Sequence, residues 1–392
     1  MKPDTIVLGA GMVGVSIALN LQAKGRSVAL VDRRGAAEET SFGNAGLIQR
    51  EASEPYMFPR EGWRKLVEHA FNRHSEAHLH YGALPRLAPS MFRFWRNSTP
   101  DGIAHAARAL APLVQRCIDE HEALAGPADA MAMLRRTGYL VVKRDQESMD
   151  EALAKHQRLK REYGVDFEAL DPQALRRLEP HLTGSLVGAI HLTAPVSVSD
   201  PGGLGKAYAD LFVKRGGTFR RGEARTLTRT PDGWQVMTAD GPLVAREGGV
   251  EHGPWADTVL RPPGLKLPPF VKAGHHRHFK AQGNATLGRP VIDPAHGYAM
   301  APLSRGIRIT TGAEFALRDA RPTPVQLAAV EPRAREIFPL AETVDETAWL
   351  GARPCTVDML PVIGPAPRLP GLWLAIGHQH WGFTLGPATG RL

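Results

Sequence analysis

The stretch TIVLGAGMVG, residues 5–14, constrains the fold more than any other part of the sequence. Residues 5–8 form a short, mostly apolar run that ends at a glycine, which is typical of a buried parallel strand. Gly9, Gly11 and Gly14 follow with the G-x-G-x-x-G spacing. Glycines at these positions permit a tight turn, close approach of the backbone to a pyrophosphate, and close packing of a helix on a strand.

The next segments complete a βαβ unit. VSIALNLQAKG has helical periodicity and ends at Gly25, and SVALVD predicts a second strand that ends at Asp32. The helix N-terminus would offer free N–H groups to phosphates, and Asp32 lies where a carboxylate accepts hydrogen bonds from a ribose. Because Arg33 and Arg34 follow and could pair a 2′-phosphate, this unit leaves both FAD and a nicotinamide cofactor open.

Length and composition bound the class of protein. The 392 residues are enough for two or three domains that each bury a core, and 43% hydrophobic with 22% charged residues is ordinary for a globular enzyme. The net charge of +8 is scattered rather than interleaved with aromatic residues, so no nucleic-acid groove is expected. A solvated surface is favoured over a face that docks on anionic membranes or acidic partners.

Cysteine usage and the absence of a long apolar stretch bear on location. Cys117 and Cys355 are far apart, which argues against a disulfide framework and fits a reducing compartment. No stretch approaches about 18 uninterrupted apolar residues, and the first strand begins too early to leave room for a signal peptide. We therefore expect a cytoplasmic protein, at most peripheral on the inner face of the membrane.

The middle of the chain alternates irregularly between strands and helices. Residues 39–49, ETSFGNAGLIQ, could lay backbone along a ligand or form only a surface loop. In HAFNRHSEAHLHYG we expect a helix that places His74 and His78 on one face. Because no acidic or cysteine partner stands at ligand spacing, a solvated face is favoured over a metal site, and no metal is predicted. GYLVVKR near 138–144 predicts a strand, and a helix is predicted near 324–338.

The closing segment GARPCTVDMLPVIGPAPRLPGLWLAIGHQHWGFTLGPATGRL resembles that of the D-amino-acid oxidase/dehydrogenase superfamily of FAD enzymes, particularly the bacterial D-amino-acid dehydrogenase branch. VLGAGMVG, ETSFGNAG, SVSDPGGL, GPWAD and RGIRITTGAEFA match in the same order. The fold class implied is α/β: a Rossmann-like FAD-binding domain with an inserted, discontinuous substrate domain (α+β) on a mostly antiparallel sheet. We predict the FAD-binding domain over 1–85, 193–262 and 346–392, and the substrate domain over 86–192 and 263–345.

The resemblance implies non-covalent FAD and makes NADP remote. The glycines and Asp32 would hold the ADP half, residues 40–47 would run along the pyrophosphate and flavin, and the start of the last helix would face the flavin pyrimidine. The implied cofactor-binding residues are Gly9, Gly11, Gly14, Asp32, Arg33, Thr40, Ser41, Asn44, Ala45, Gly46, Leu47, Ala224, Gly253, Gly351, Gly377, His380, Trp381, Gly382, Phe383, Thr384 and Leu385.

The resemblance also implies a catalytic set. Arg353 matches an arginine that grips the substrate carboxylate, a task that suits a guanidinium because it pairs both oxygens. The alternative is a buried arginine that only ties loops together. His275, His276 and Tyr298 are candidates for the active-site wall, where a histidine near neutrality could accept the amine proton. Packing is an equally open role for each of them.

The implied reaction is oxidation of a small amino acid, a D-amino acid or a cyclic imino acid. Hydride would pass from Cα to flavin N5, and the imine would hydrolyse to a 2-oxo acid. One alternative is an oxidase or demethylase similar to sarcosine or glycine oxidase, whose relatives often attach FAD through a cysteine; Cys355 is not at the matching position. A non-catalytic FAD-binding subunit is another. Oxygen, a quinone or a partner protein remain open as electron acceptors.

Three departures from the family pattern stand out. Residues 246–252, REGGVEH, carry charge and glycine where a buried strand is expected, which weakens the expectation of FAD contacts around Gly253. His275 replaces a tyrosine found in many relatives, so the substrate could differ. The third departure is at Leu392, where this sequence ends and the resemblance implies a further helix.

Overall fold

The computed structural model describes residues 2–51, 54–58, 60, 63–268 and 270–392. The helices in these residues are α1 (Met12–Ala23), α2 (Trp63–Ala70), α3 (Leu84–Asn97), α4 (Pro100–Ala125), α5 (Gln146–Tyr163), α6 (Pro172–Leu178), α7 (Pro201–Lys214), α8 (Ala256–Leu260), α9 (Val325–Ile337) and α10 (Gly382–Arg391). Single 3₁₀ turns occur at Tyr81–Ala83, Met131–Met133 and Gly253–Trp255. No helix in these ranges is long and apolar enough to cross a membrane.

The strands are β1 (Thr5–Leu8), β2 (Val28–Asp32), β3 (Leu47–Ile48), β4 (Ala77–Leu79), β5 (Leu134–Arg135), β6 (Tyr139–Lys143), β7 (Phe167–Leu170), β8 (Gly188–Leu192), β9 (Val196–Val198), β10 (Thr218–Thr230), β11 (Gly233–Thr238), β12 (Gly241–Ala245), β13 (Glu247–Val250), β14 (Val271–Ala281), β15 (Val291–Asp293), β16 (Tyr298–Leu303), β17 (Gly306–Thr311), β18 (Ala313–Phe315), β19 (Leu340–Thr343), β20 (Trp349–Pro354), β21 (Val362–Pro365) and β22 (Leu372–Ile376). Most strands have six residues or fewer, and β10 and β14 are the long ones among the described residues, with 13 and 11 residues.

The opening motif builds the centre of an eight-stranded sheet, in the order β12-β11-β10-β2-β1-β13-β22-β21. The ladder from β10 to β22 is parallel. All four residues of β1 are buried, because helices and loops cover both faces of a parallel sheet. Asp32 ends β2 and therefore lies at the carboxyl edge of this sheet, beside the start of α1.

The second large sheet is mostly antiparallel and has eleven strands, including β14, which pairs with β17, β18, β19 and β20. A third, three-stranded sheet has the order β3-β9-β5. The predicted fold class is confirmed by this pair of large sheets, and the predicted strand near 138–144 and helix near 324–338 correspond to β6 and α9. β4 and β20 fall in ranges assigned to the FAD-binding domain but pair in the eleven-stranded sheet; the division into two domains stays a prediction.

Helices α1 and α10 lie side by side in the same direction. A Cβ added at Gly382 would be 3.7 Å from Val13 Cγ2, one at Gly386 would be 2.9 Å from Met12 Cγ, and one at Gly390 would be 2.6 Å from Ser16 O. Glycine at positions 386 and 390 therefore lets the two backbones approach closely. The partner residue on α1 advances from Met12 to Ser16 between these two glycines, so the helices are parallel and both N-termini lie at the same end of the pair.

The atypical segment 246–252 forms a buried strand after all. β13 pairs in parallel with β1 on one side and β22 on the other, so its local composition did not prevent strand formation. Gly248 and Gly249 are buried, and a Cβ at Gly249 would lie 2.7 Å from Glu251 Oε1. Glycine thus makes room for the buried Glu251 side chain, whose own N–H donates to Leu8 O at 2.9 Å.

The expectation of a helix through His74 and His78 is wrong. α2 ends at Ala70, and His78 lies in β4, which pairs in parallel with β18. His74 instead precedes the strand and contacts Glu68 Oε2 at 2.8 Å. Pairing with a strand far along the chain outweighed the local helical pattern, as is usual when tertiary contacts compete with propensity.

Glu251 predicts a pH dependence of stability. Burial raises the pKa of its carboxyl well above the usual value, and Oε2 has no hydrogen-bond partner. The pKa of this carboxyl is higher in the folded state than in the unfolded state, so its protonation stabilises the fold fully at pH values below the unfolded-state pKa. This stabilisation is lost as the pH rises to the folded-state pKa. Glu251→Gln should therefore raise the free energy of unfolding at pH 8 relative to wild type by about 1 kcal/mol or more, and change it little at pH 4. Equal differences at both pH values in denaturant titrations would contradict this.

Candidate active site

A cavity of about 1540 Å³ lies where the two large sheets meet. Its wall includes the start of α1, the loop at residues 39–47, the cavity side of β14 and β20, and residues 375–383. This volume exceeds the range of about 300–1,000 Å³ that is typical for drug-sized ligands. The cavity can therefore hold a ligand as long as a dinucleotide together with a small substrate.

The first anion-binding feature is the start of α1. Gly9 has φ +113°, and a Cβ there would lie 2.8 Å from Glu251 O; one at Gly14 would lie 1.8 Å from Gly9 O. The N-cap Gly11 supplies no side-chain cap, and the first turn contains no acidic residue. The N–H groups of the first turn, apart from the Met12 N–H that donates to Ser41 Oγ, are therefore available to an anion at the positive end of the helix.

Asp32 and the arginines after it lie beside this helix start. Asp32 Oδ2 accepts from Ala10 N–H at 2.7 Å, which fixes the carboxylate at the cavity wall with lone pairs left for ribose hydroxyls. Arg33 and Arg34 both pair with Glu39, at 2.7 and 3.1 Å, and Arg33 also stacks over Trp255. Since Glu39 already engages both guanidinium groups, this arrangement does not favour a 2′-phosphate.

The second anion-binding feature is the start of α10, at the same end of the helix pair. Its first turn has no acidic residue and no side-chain cap. Gly377, with φ +75°, precedes it, and a Cβ there would lie 2.5 Å from Thr356 Cγ2. His380 Nε2 and Trp381 Nε1 are buried without hydrogen-bond partners, so polar groups here remain for a ligand to satisfy. Burial lowers the pKa of His380 to about 3, so its ring is neutral.

Arg353 lies on β20, directly opposite Lys272 of β14. Its guanidinium donates only to backbone oxygens, those of Ala273, Gly312 and Thr311, at 3.0–3.3 Å. A Cβ at Gly274 would be 2.7 Å from Arg353 Nη2, so glycine leaves the room that the guanidinium occupies. Both cations line the cavity, and no ion pair joins either of them to a carboxylate of the described residues.

The Lys272 ammonium sits among aromatic rings. Its Nζ lies 4.1 Å from the centroid of Phe94 and 5.7 Å from those of Phe270 and Phe315. Cation–π attraction offsets part of the cost of removing the ammonium from water. Burial still lowers the lysine pKa, and the neighbouring Arg353 charge lowers it further.

The two predicted histidines of the active-site wall point in opposite directions, because side chains alternate along β14. His276, on the face with Lys272, stacks on Trp349 with ring centroids 4.6 Å apart. Burial, with help from the Arg308 charge, lowers its pKa to about 2, so its ring forms a neutral part of the wall. Its role as acceptor of the amine proton stays a prediction. His275 is on the other face, with Nδ1 3.4 Å from Glu314 Oε2. His275 lines the cavity with part of the residue, but its ring projects from the face of the sheet opposite the one that carries Arg353.

Tyr298 also reaches the cavity wall without offering its hydroxyl to it. The residue is 3% exposed and packs in the core with α9, and its hydroxyl donates to Arg333 O at 3.3 Å. Burial raises its pKa well above the usual value. Of the four predicted catalytic residues, Arg353 and His276 therefore present their side chains to the part of the cavity between β14 and β20.

Most predicted cofactor residues line the cavity. Those on its wall are Gly9, Gly11, Asp32, Arg33, Thr40, Ser41, Asn44, Ala45, Leu47, Gly253, Gly351, Gly377, His380, Trp381, Gly382 and Phe383. Those off it are Gly14, Gly46, Ala224, Thr384 and Leu385, which pack behind the wall. For example, Thr384 Oγ1 accepts from Gln49 N–H. Ala224, on β10, is buried in the same core cluster as Val31 of β2.

Several residues of the cavity wall were not predicted from the sequence, among them Lys272, Gly274, Trp349 and Glu51. Lys272 and Gly274 lie at every second position before His276 on β14, so recognition of the strand would have placed all three on the same face of the sheet. Glu51 had no sequence signal. Tyr139 donates to its Oε1 at 2.8 Å, and burial raises the pKa of Glu51 to about 7.

The model of the family described as FAD dependent oxidoreductase matches residues 4–392. The chain belongs to this family. D-amino acid dehydrogenase from Cereibacter sphaeroides is 30% identical over 402 residues, which cover 99% of this chain and 90% of that relative.

Solved structures have the same fold. Glycine oxidase from Geobacillus kaustophilus aligns with a TM-score of 0.75 and 23% identity, over 100% of this chain and 93% of that chain. Iminodiacetate oxidase from Chelativorans sp. BNC1 aligns with a TM-score of 0.72 and 23% identity, over 99% of this chain and 93% of that chain.

The cavity fits the FAD of this family. A glycine cradle and two helix N-termini can accept a pyrophosphate and a flavin edge, both of which carry or develop negative charge. The Asp32 carboxylate can accept from ribose hydroxyls. His380 Nε2 and Trp381 Nε1, which have no hydrogen-bond partner among the described residues, lie beside the second helix start. This chain is therefore an FAD-dependent oxidoreductase.

Gly9→Ala tests the cradle. The new Cβ would meet Glu251 O in a backbone conformation that alanine rarely adopts, so affinity for FAD should fall at least about tenfold. Gly82→Ala is the matched control, because a Cβ there meets nothing within 4 Å. Flavin absorbance per chain after dialysis, followed by FAD titration, measures the effect. Equal flavin content in both variants would contradict it.

Proposed function

We propose that the enzyme oxidises a small amino acid, a D-amino acid or a cyclic imino acid, whose carboxylate is bound by Arg353. The observation that carries the proposal is a guanidinium on the cavity wall that no carboxylate of the described residues neutralises. A guanidinium pairs a carboxylate through two parallel hydrogen bonds and so fixes its orientation. The name of the relative from Cereibacter sphaeroides, a D-amino acid dehydrogenase, supports an amino acid as substrate.

The side chains of this cavity orient the substrate and exclude water. Arg353 fixes the carboxylate, and Gly274 keeps the guanidinium in position by leaving space for it. The stacked pair of His276 and Trp349 forms a neutral wall beside it. Bound FAD would supply the acceptor for the two electrons and the hydrogen removed from Cα. The imine of a primary amino acid then hydrolyses to a 2-oxo acid and ammonia, whereas a cyclic imine opens to an amino-2-oxo acid. Positioning of this kind accounts for much of the rate of such reactions.

Lys272 extends the proposal to the class of amino acid. Like charges directly opposite each other on neighbouring strands destabilise a sheet, and here no protein carboxylate offsets them. A substrate with a second carboxylate would neutralise both cations, with one carboxylate on Arg353 and the other on Lys272. We therefore propose acidic amino acids as preferred substrates. The similar fold of iminodiacetate oxidase, whose named substrate has two carboxylates, is consistent with this choice.

FAD is proposed to bind without a covalent bond. Cys117 is buried in the core, and burial raises the pKa of the Cys355 thiol, which disfavours the thiolate needed for attachment. Acid precipitation should therefore leave the yellow colour in the supernatant, whereas a yellow pellet would indicate covalent flavin.

The electron acceptor is a separate question. Return of the flavin colour when oxygen is readmitted to the reduced enzyme indicates an oxidase, and return of the colour only with a quinone dye indicates a dehydrogenase.

Arg353→Ala tests the carboxylate site. Loss of a charged, bidentate partner should raise KM for every substrate by about 10- to 100-fold, which corresponds to about 1.5–3 kcal/mol. Lys280→Ala, on the same strand and exposed, serves as the control. Steady-state kinetics of both holoenzymes measure the effect, and an unchanged KM for all amino acids would overturn the role of Arg353.

Lys272→Met tests the preference for acidic substrates. Methionine keeps an apolar stem against the three phenylalanine rings but removes the charge. We expect KM for dicarboxylic amino acids to rise about tenfold, while KM for alanine stays the same or falls. The readout is the ratio of kcat/KM values for the two substrate types. If both change equally, Lys272 does not select a second carboxylate.

A further inference from the structure

A cluster of histidine and glutamate side chains lies behind the active site, on the opposite face of β14. The ligand atoms of His78, His80 and Glu314 all lie within 4.8 Å of one another. His80 Nε2 contacts Glu314 Oε1, and Thr323 Oγ1 donates to the same oxygen. His275 adds a fourth side chain, with Nδ1 3.4 Å from Glu314 Oε2.

Strand pairing explains why these residues converge. His78 of β4 is opposite Glu314 of β18, and Glu314 is opposite Ala273 of β14. His80 follows His78 by two positions, and His275 follows Ala273 by two. Because side chains two apart share a face, all four side chains project from one face of the sheet. Lys272, Gly274 and His276 project from the other face, toward the active site.

The environment of the cluster is suited to a cation. Glu314 is 2% exposed and His275 is 1% exposed, and neither ring nitrogen of His275 has a hydrogen-bond partner. A small cavity of about 90 Å³ adjoins His80 and Glu314, which is enough room for an ion and water. The nearby Arg318 is already paired with Asp257 and Asp319, so its charge is neutralised.

We infer that His78, His80 and Glu314 form a binding site for a divalent transition-metal ion such as zinc, with a water in the adjoining cavity as the fourth ligand. Imidazole nitrogens and a carboxylate oxygen are the ligands that zinc prefers, at about 2.0–2.2 Å. Two ligand atoms on a tetrahedral zinc ion lie about 3.3–3.6 Å apart, so ligand atoms that are up to 4.8 Å apart would have to approach each other by up to about 1.2–1.5 Å to complete the site. The ion would join β4 to β18, the neighbour of β14, and so brace the sheet that carries Lys272 and His276.

Metal analysis of the untagged holoenzyme tests the site. After incubation with zinc chloride and desalting, we expect about one zinc ion per chain in the wild type and an increase in the melting temperature. His78→Gln should lower retained zinc by at least about fivefold and abolish the increase in melting temperature. His78 is partly exposed and makes no side-chain hydrogen bond that the fold needs, so this variant should retain FAD and its activity toward amino acids. His74→Gln, on an exposed histidine of the same segment, should behave like the wild type.

Two results would overturn the site. One is a wild-type protein that retains no zinc and shows no thermal shift with zinc. The other is equal retention by the wild type, His78→Gln and His74→Gln, which would indicate only surface histidines. Glu314→Gln provides a second variant, and its circular dichroism spectrum and flavin content show whether it folds. Because zinc retention is measured apart from catalysis, failure of this site leaves the proposed function intact.

Discussion

The close parallel packing of α1 against α10 is the constraint on which the rest of the molecule depends. Gly386 and Gly390 let the backbones approach, and the pair then brings two helix N-termini to one end of the cavity. Two uncapped positive helix ends at one place favour a ligand with negative charge at both its phosphate and flavin edges. Residues from the first and last segments of the chain therefore line one cavity, where both could contact the FAD of this family.

Alternation along β14 is the second constraint, because it divides the chemistry between two faces of one sheet. Lys272, Gly274 and His276 face the cavity and Arg353, while His275 faces Glu314 on the other side. This part of the cavity therefore has two cations and neutral walls, a charge distribution that would complement the proposed acidic amino acid. β14 thus carries Lys272, which is proposed to set substrate specificity, on one face and borders the residues proposed to bind a metal on the other.

The parts of this molecule that local sequence determines could be predicted. The strand, glycine turn, helix and Asp32 follow one another within one βαβ unit, and the resemblance placed Arg353 on the cavity wall. What failed depended on distant pairing. His80 and Glu314 are 234 positions apart, so a helical pattern around His78 could not reveal β4 or its partners. The direction of each histidine on β14 required the strand register, and the buried strand at 247–250 depended on neighbours that bury its glycines.

The most direct measurement is an anaerobic titration of the purified enzyme, followed by its visible spectrum. Bound flavin should absorb before substrate is added. A D- or cyclic amino acid with a second carboxylate should bleach it more completely at low concentration than alanine does. Bleaching by no amino acid, whether D-, L-, N-methyl or cyclic, would contradict the proposed reaction. A preparation that binds no flavin at any FAD concentration would contradict the role of the two helix ends.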